Sequence, residues 1–278
     1  MAYALVTGAS SGIGRELAVL FAADGYDLIL AARDEARLDQ VRSVLESRYG
    51  VRVVVFPVDL SEADAPRRLH DFTNSHGLTV EALVNNAGFA DWTGFLDADW
   101  NRQHAMMELN MVALAELTYR YGRDMRETGH GRILNIASVS SMMAGPWMAM
   151  YFASKAFVRS FSEAVAHELR GTGVSVTCVC PGPTSTGFAK AASMGGRNFF
   201  TMGRPANARR LAEFAYRRMM RGDVLAYHGH LTRAGAAGER LLPRAVTRRL
   251  AAVANGGDPS RRQRRRRARN GSLKSQNR

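Results

Sequence analysis

The most informative segment of this 278-residue chain is Thr7-Gly8-Ala9-Ser10-Ser11-Gly12-Ile13-Gly14. It follows a short apolar run that starts at Ala2, and it precedes apolar residues at helical spacing, Leu17, Leu20 and Phe21. This pattern predicts a buried strand, a tight turn and a helix. Glycines in such a turn let the backbone approach a pyrophosphate, which then lies at the N-terminus of the helix. We therefore expect a dinucleotide to bind through Gly8, Ser10, Ser11, Gly12, Ile13 and Gly14.

A second strand-like run extends from Asp27 to Ala32, and Arg33 stands directly after it. Sites that prefer NAD usually place an acid at this point to bind the ribose hydroxyls, whereas a guanidinium binds a 2′-phosphate through several donors. Arg33 therefore predicts NADP (NADPH) as the cofactor, with NAD as the alternative. Asp34 suits the N-cap of a helix over 35–48. The simpler interpretation of Arg33 is a surface charge.

Strand and helix patterns alternate through the rest of the chain, with further strands predicted at 51–56, 82–84, 132–137, 174–180 and 224–228. Such alternation is typical of an α/β protein, here a Rossmann-type doubly wound parallel sheet of about seven strands with helices on both faces. Ligands of these sheets bind at the carboxyl ends of the strands. The residues that follow two of those strands are therefore predicted to contact the cofactor: Asp59, which could reach the adenine amino group, Leu60, Asn86, Ala87 and Gly88.

Three helices complete this pattern. One is predicted to start at Ser61, with acids in its first turn, and another follows Pro205 to about Arg221. A long helix from about Asp99 to Arg126 carries Asn110, whose residue type alone is compatible with a satisfied buried amide.

Tyr151 and Lys155 are four residues apart, so on a helix they share one face. A tyrosine normally has a pKa near ~10, and a neighbouring ammonium lowers the pKa of the phenol and makes it a useful acid and base. The hydroxyl of Ser138 could hold a carbonyl oxygen at the same place. These residues predict reduction of a carbonyl or oxidation of an alcohol, provided that a hydride carrier lies beside them. By itself a Tyr-x-x-x-Lys pattern is more often a solvated helix face.

Together these motifs resemble the short-chain dehydrogenase/reductase family, in its compact single-domain branch. The resemblance rests on the Gly8–Gly14 turn, Asn85-Asn-Ala-Gly88, a serine thirteen residues before the tyrosine, Tyr151-x-x-x-Lys155 and Pro181-Gly182, and it covers roughly residues 2 to 230. It implies a Rossmann-type oxidoreductase. The residues after Tyr227 are similar to bacterial members grouped with ketone, hydroxysteroid or acyl reductases.

The resemblance also implies roles for individual residues. Tyr151 would exchange the proton, Ser138 would position the oxygen, and Lys155 would lower the pKa of Tyr151 and bind the nicotinamide ribose. Asn110 would hold a water molecule in a proton relay behind Lys155. The nicotinamide amide would contact Pro181 and Gly182 and the hydroxyl of Thr184 or Thr186. In this family the helices that carry the Tyr and the Asn commonly form a subunit interface, which implies a homodimer or homotetramer.

Apolar residues surround the predicted catalytic group. The loop before Tyr151 contains Met142, Met143, Trp147 and Met148, and Phe89 and Phe95 follow the Asn-Asn-Ala-Gly turn. Because methionine adapts to irregular apolar shapes, these residues predict a pocket for a lipid, steroid or acyl carbonyl, with ordinary core packing as the alternative. The segment 187–204 resembles a mobile substrate lid.

The charge of the chain is concentrated at its C-terminus. The formal net charge is +13, and residues 259–278 contain nine lysines and arginines and no acid. We expect a catalytic domain at 1–257 and a disordered basic tail at 258–278. The tail could contact nucleic acid, an anionic surface or an acidic partner, or could simply aid solubility. Arg244, Arg248 and Arg249 stand beside apolar residues in a predicted amphipathic helix at 243–254, for which membrane contact is one option.

Cys178 and Cys180 are interpreted as small buried hydrophobes rather than as a disulfide or metal pair. With thirteen methionines they suggest a reducing compartment. No signal peptide is recognised, and no apolar stretch reaches the ~18 residues that span a bilayer. The predicted location is cytoplasmic, and the predicted substrate is a small molecule.

The sequence thus predicts an NADP(H)-dependent oxidoreductase that interconverts a ketone or aldehyde and an alcohol. A nucleotide-sugar epimerase shares Tyr-x-x-x-Lys, but those proteins resemble a longer form with a different glycine spacing and a substantial C-terminal domain. A redox sensor or scaffold that binds NADP without turnover is a second alternative, and the complete set of Ser138, Tyr151, Lys155 and Asn110 argues against it. Binding of nucleic acid or an acidic partner is supported by the tail alone.

Overall fold

The structure is a computed structural model, and it describes residues 2–185, 206–239 and 242–257. The strands are β1 (Tyr3–Thr7), β2 (Asp27–Ala32), β3 (Val53–Pro57), β4 (Val80–Asn85), β5 (Gly131–Ile136), β6 (Val174–Pro181), β7 (Thr184–Ser185), β8 (Ala206–Asn207) and β9 (Leu225–His228). The α-helices are α1 (Gly12–Ala23), α2 (Glu35–Tyr49), α3 (Ala65–Ser75), α4 (Trp100–Met107), α5 (Leu114–Thr128), α6 (Ala149–Glu168), α7 (Ala208–Met220), α8 (His230–Glu239) and α9 (Arg244–Ala254). Short 3₁₀ turns lie at Phe95–Asp97 and Val139–Met142.

Seven strands form one parallel sheet in the order β3-β2-β1-β4-β5-β6-β9, and β7 pairs separately with β8. From β1 the chain builds outward to β3, and it then crosses back to place β4 on the other side of β1. The turns after β1 and β4 therefore lie side by side, at the point where ligands of doubly wound sheets bind. The predicted fold class is confirmed.

The sheet is buried on both faces, which explains why its strands read as almost continuous apolar runs. Successive side chains of β1 point to opposite faces: Val6 packs in the cluster that contains Leu17 of α1 and Leu211 of α7, and Leu5 packs in the cluster that contains Leu69 of α3 and Leu117 of α5. Two core layers therefore hold the sheet rigidly between helices, and the loops at its carboxyl edge project from a fixed frame.

The helix predicted to start at Ser61 begins later, at Ala65. The side chain of Asp59 accepts hydrogen bonds from the backbone nitrogen of Ser61 at 3.0 Å and from its hydroxyl at 2.7 Å, so residues 59–61 form a local turn instead of a helical one. Pro66 then occupies the first helical turn, where its missing N–H is tolerated.

The long helix predicted from Asp99 to Arg126 is divided into three parts. Between α4 and α5, the segment Glu108–Ala113 is a π-helix. Asn110 is buried within it. A π-helical turn changes the direction in which side chains leave a helix, and such segments are frequent at functional sites. The apolar spacing used for the prediction does not distinguish this segment from a continuous α-helix.

The C-terminal region contains one helix that was not predicted, α8, while α9 agrees with the prediction at 243–254. The predicted roles of Thr186 and Pro205, the proposed lid at 187–204 and the tail at 258–278 lie outside the described residues. The domain boundary at 257 stays a prediction.

Candidate active site

The turn between β1 and α1 requires glycine for two different reasons. Gly8 has a φ of 66°, a conformation that side chains other than glycine rarely adopt. Gly14 permits close approach, because a Cβ atom there would lie 2.6 Å from the Nδ2 atom of Asn86 and would also collide with the carbonyl of Gly8. The turn and the first helical residue therefore form a backbone cradle of the kind that holds a pyrophosphate.

Thr7 fastens the second loop of the site to the first. Its hydroxyl donates to the carbonyl of Val84 at 3.1 Å and accepts from the backbone nitrogens of Asn86 and Ala87 at 3.0 and 3.1 Å. The side-chain amide of Asn86 donates to the carbonyl of Thr7 at 2.9 Å. These bonds fix the Asn-Asn-Ala-Gly turn against the glycine turn.

One cleft of about 500 Å³ follows the carboxyl edge of the sheet across β2, β1, β4, β5 and β6. It contains every predicted site residue except Gly14, Asn110 and Thr186. Gly14 packs behind the cradle, Asn110 lies behind the Gly88 loop, and Thr186 is outside the described residues. The predicted site residues that line the cleft are Gly8, Ser10, Ser11, Gly12, Ile13, Arg33, Asp59, Leu60, Asn86, Ala87, Gly88, Ser138, Tyr151, Lys155, Pro181, Gly182 and Thr184.

The β2 end of the cleft carries two exposed guanidinium groups. Arg33 lies 3.7 Å from the carboxylate of Asp59, and Arg37, which sequence analysis missed, lies 3.1 Å from that of Asp34. Burial raises the pKa of Asp59, but hydrogen bonds from Ser61 and the charge of Arg33 outweigh it and hold that pKa below its ordinary value. The available signal for Arg37 was its position four residues after Arg33, in the first turn of the predicted helix.

Ser138 and Tyr151 are brought together at the other end of the cleft. Ser138 caps the 3₁₀ turn that follows β5, and its Oγ atom accepts from the backbone nitrogen of Ser140 at 3.1 Å. The hydroxyl of Tyr151, near the start of α6, lies beside Ser138 in the same cleft. Both side chains are buried apart from the surface that they present to the cleft. The pair can hold an oxygen atom of a substrate and exchange a proton with it.

The pKa of Tyr151 differs from the sequence-based expectation. Burial raises it to about 12, and the hydrogen bond with Ser138 opposes this rise. Lys155 does not act on Tyr151 as expected, since its ammonium group donates to the carbonyl of Ile136 at 2.9 Å. Burial lowers the pKa of Lys155 to about 8, while Cys178 and Cys180 oppose the change. Desolvation therefore has a larger effect on the pKa values of Tyr151 and Lys155 than the neighbouring groups have.

Asn110 supports the loop that carries Phe89. Its Oδ1 atom accepts from the backbone nitrogen of Phe89 at 3.1 Å, and its Nδ2 atom donates to the carbonyl of Phe89 at 2.9 Å and to the hydroxyl of Ser154 at 3.1 Å. The amide thus connects the π-helix, the Gly88 loop and α6. The interpretation of Asn110 as a satisfied buried amide is confirmed. Its role in a proton relay stays a prediction.

An apolar cluster adjoins Tyr151. Tyr151 packs with the buried side chains of Met148 and Phe152 and with the partly buried Phe89 and Met143. The other expected members differ: Phe95 is 49% exposed, and Met142 is buried outside this cluster. Trp147 has a φ of 69°, an uncommon conformation for a residue with a side chain. The apolar wall is therefore formed by some of the predicted residues.

The two loops beside this cluster are tied to the C-terminal end of α9. Asn255 is 2% exposed, and its side-chain amide donates to the carbonyl of Pro146 at 2.8 Å. Its backbone carbonyl accepts from the indole nitrogen of Trp92 at 2.9 Å. Asn255 was missed by sequence analysis, since a single asparagine after a helix has no distinguishing local pattern.

Cys178 and Cys180 are free and buried, as interpreted from the sequence. Among the described residues, no group of three histidine, cysteine or acidic side chains is arranged to bind a metal ion. Every helix in the described ranges is too short or too polar to cross a membrane.

Comparison with known sequences identifies the class of this cleft. The sequence model described as short chain dehydrogenase matches residues 2–195. The chain belongs to the short chain dehydrogenase family. It shares 38% identity over 189 residues with sulfoacetaldehyde reductase 2 of Chromohalobacter salexigens, covering 66% of this chain and 73% of that protein. It shares 29% identity over 184 residues with 7β-hydroxysteroid dehydrogenase of Collinsella aerofaciens, covering 66% of this chain and 69% of that protein.

A solved member of the family agrees in fold and supports the assignment of the cofactor. The short-chain dehydrogenase from Sphingobium yanoikuyae in complex with NADPH superposes with a TM-score of 0.78 at 30% sequence identity, over 87% of this chain and 94% of that one. NADP binding is thereby supported for the family. The resemblance stated from the motifs is confirmed.

Proposed function

We propose that this chain is an NADP(H)-dependent oxidoreductase that interconverts a ketone or aldehyde and the corresponding alcohol. The observation that carries the proposal is the position of Tyr151 and Ser138 side by side, inside the cleft whose opposite end holds Arg33. Bound NADPH supplies a hydride for the carbonyl carbon. Turnover requires a pair of side chains that can hold a substrate oxygen and transfer a proton to it. A scaffold or a redox sensor does not require such a pair.

Ser138, Tyr151 and Lys155 have different roles in the proposed reaction. Ser138 donates a hydrogen bond to the carbonyl oxygen and holds it beside Tyr151, and Tyr151 gives that oxygen a proton as the alcohol forms. In the opposite direction Tyr151 accepts the proton. Lys155, held by the carbonyl of Ile136, lies behind Gly88 and is placed to bind the hydroxyls of the nicotinamide ribose. Binding of an anionic cofactor would favour the charged form of Lys155.

The fit to a dinucleotide rests on the glycine turn. A Cβ atom at Gly8 or Gly14 would collide with Asn86, so only glycine lets the turn pack this closely against the Asn-Asn-Ala-Gly loop. The preference for NADP over NAD rests on Arg33 and Arg37. Their side chains are 77% and 63% exposed. Arg33 directly follows β2 and Arg37 is in the first turn of α2, at the end of the cleft where the 2′ position of the adenosine ribose would lie. Guanidinium groups bind phosphate through directed hydrogen bonds as well as charge.

The substrate that suits this pocket is a carbonyl compound with an apolar body. The support is the cluster of Phe89, Met143, Met148 and Phe152 around Tyr151. This resembles the requirement of a hydroxysteroid dehydrogenase more than that of a sulfoacetaldehyde reductase, whose substrate is small and anionic. The free thiols of Cys178 and Cys180 agree with a cytoplasmic location, which we include in the proposal.

We also propose that two copies associate through α5 and α6. A groove of about 1010 Å³ lies between these helices. Val112, Tyr119 and Phe157 are exposed there, and the rings of Phe157 and Phe161 stack with centroids 5.5 Å apart. An exposed apolar groove of this kind is typical of an interaction surface.

The proposed activity is tested by following oxidation of NADPH with a panel of steroid, acyl and aromatic ketones and of short aldehydes, and by repeating the panel with NADH. We expect turnover with NADPH and with the apolar ketones. No turnover of any carbonyl in either direction, in a chain that binds NADPH, would favour the redox sensor or scaffold.

A further inference from the structure

Helix α9 exposes an aliphatic stripe to solvent. Val246, Leu250 and Val253 follow each other at intervals of four and three residues, which places them on one side of the helix, and Leu242 lies just before its N-cap, Pro243. All four are exposed, with Leu250 at 56% and Val253 at 79%. A different side of the helix, formed by Thr247 and Ala251, is buried against the protein. The stripe is therefore free of the domain core while the helix itself is attached.

The same region holds most of the net charge. Residues 242–278 contain twelve arginines and lysines and one acid, Asp258, which gives +11 of the formal +13. Three of these cations, Arg244, Arg248 and Arg249, are exposed on α9 itself. The remainder of the chain is therefore close to neutral, and the strongest electrostatic attraction to an anionic partner is at this end.

We propose that α9 binds the surface of an anionic lipid bilayer. The helix would lie in the plane of the interface, with the aliphatic stripe among the upper acyl chains and Arg249, which flanks the stripe, among the phosphates. The bilayer would then contact both the aliphatic stripe and the positive charge.

Two other partners fit the observations less well. A nucleic acid would satisfy the arginines and leave the stripe in water, and residues 242–278 contain no aromatic side chain that could stack on bases. A second copy of the chain could cover the stripe but would bring two regions of charge +11 together. An anionic bilayer is the partner that accepts both the aliphatic groups and the charge.

The position of α9 connects this surface to the active site. Asn255, directly after the helix, is bonded to Pro146 and receives a bond from Trp92, and those loops border the apolar cluster around Tyr151. A chain bound through α9 would have its substrate pocket near the bilayer, which suits a carbonyl compound dissolved in lipid. This consequence for the substrate rests on the proposed function, whereas binding to the bilayer does not.

The test is co-sedimentation of the full chain with vesicles of phosphatidylcholine alone or mixed with phosphatidylglycerol. We expect binding to the anionic vesicles only, weakened by salt. The double substitution Val246→Asp with Leu250→Asp should lower the partition coefficient about tenfold or more, because it places carboxylates in the stripe. Val44→Asp on α2 is the matched control, since Val44 is 57% exposed and Leu250 is 56% exposed, and it should not change binding.

Equal binding by the double variant and the wild type would overturn the proposal, because the basic segment alone would then suffice. It would also be overturned if the wild type did not bind anionic vesicles. The same holds if a DNA duplex displaced the protein from the vesicles at a concentration below that of the lipid. A third contradicting result is a double variant that is monomeric while the wild type is oligomeric. Circular dichroism and reduction of a water-soluble ketone check the folding of each variant. Absence of that reduction in all variants with intact vesicle binding would contradict the proposed function alone.

Discussion

The side-chain amide of Asn255 donates to the carbonyl oxygen of Pro146 at 2.8 Å, across 109 residues of sequence. The backbone carbonyl of Asn255 accepts from Trp92 at 2.9 Å, so one buried residue joins the C-terminal helix to the loops after β4 and β5. These loops flank the apolar cluster that contains Tyr151. We infer that Asn255 positions the wall of the substrate pocket without touching the reacting atoms.

Asn255→Ala should therefore raise the KM of a bulky ketone more than it lowers kcat, and it should leave the Kd of NADPH unchanged. It leaves the carbonyl of Pro146 without its donor, which costs about 1–3 kcal/mol of the free energy of unfolding. Steady-state kinetics and titration of NADPH by fluorescence measure these quantities. Asn207→Ala, which removes the exposed N-cap of α7, is the control. If both variants change KM equally, Asn255 has only a general role in stability.

Tyr151→Phe should reduce kcat by roughly 10²–10⁴-fold, because the proton must then come from water. Ser138→Ala should reduce kcat by about 10²–10³-fold through loss of the hydrogen bond that holds the oxygen. Neither variant should change the Kd of NADPH greatly. The control is Tyr49→Phe at the end of α2, outside the cleft. Retained turnover in Tyr151→Phe would contradict the assignment of the proton donor.

Arg33→Ala should weaken NADPH by about tenfold or more and leave NADH nearly unaffected, since one charged hydrogen bond to phosphate contributes about 1.5–3 kcal/mol. Arg42→Ala serves as the control, because Arg42 is on α2 and pairs with Asp39 away from the cleft. Isothermal titration with both cofactors gives the ratio of Kd values. A proportional loss for both cofactors would contradict a role in binding the 2′-phosphate.

Burial of Lys155 should make stability depend on pH. Its pKa is about 8 in the folded chain against an ordinary value of 10.5, so the folded state binds fewer protons between these pH values. The free energy of unfolding should therefore rise with pH across that window, by an amount on the order of 3 kcal/mol. Lys155→Met should lack this increment.

Urea denaturation of wild type and Lys155→Met at pH 7 and at pH 10 measures the difference. Contributions of other groups to the pH dependence of unfolding cancel when the two proteins are compared. Tyr151, with a pKa of about 12 in the folded chain, titrates above this range. A constant difference between the two proteins at both pH values would show that Lys155 is not desolvated in solution.

Phe157→Asp should dissociate the proposed dimer, because it introduces a charge into the groove between α5 and α6. Sedimentation velocity at several concentrations is the measurement, with Val44→Asp on the surface of α2 as the control. A wild-type monomer, or an unchanged oligomer in Phe157→Asp, would contradict this interface.

Much of the fold follows from local chemistry. A strand covered on both faces must be apolar along its length, and Gly8 and Gly14 occupy positions where a side chain would be strained or would collide, so both leave a visible pattern in the chain. Alternation of strands and helices then orders the sheet and places Arg33, Asp59 and Asn86 at one edge. Ser138, Tyr151 and Lys155 could be identified because their spacing matches a known family.

Other features depend on groups that are distant in sequence. Burial raises the pKa of Tyr151, although the proximity of Lys155 in the sequence predicted a decrease, because desolvation is set by everything that packs around the phenol. The π-helix around Asn110 and the contacts of Asn255 have no periodic signal for the same reason. The residue types of this chain thus specify which chemistry is available, while tertiary packing determines the proton affinity of the catalytic groups and the shape of the pocket, because both are sums over non-local neighbours.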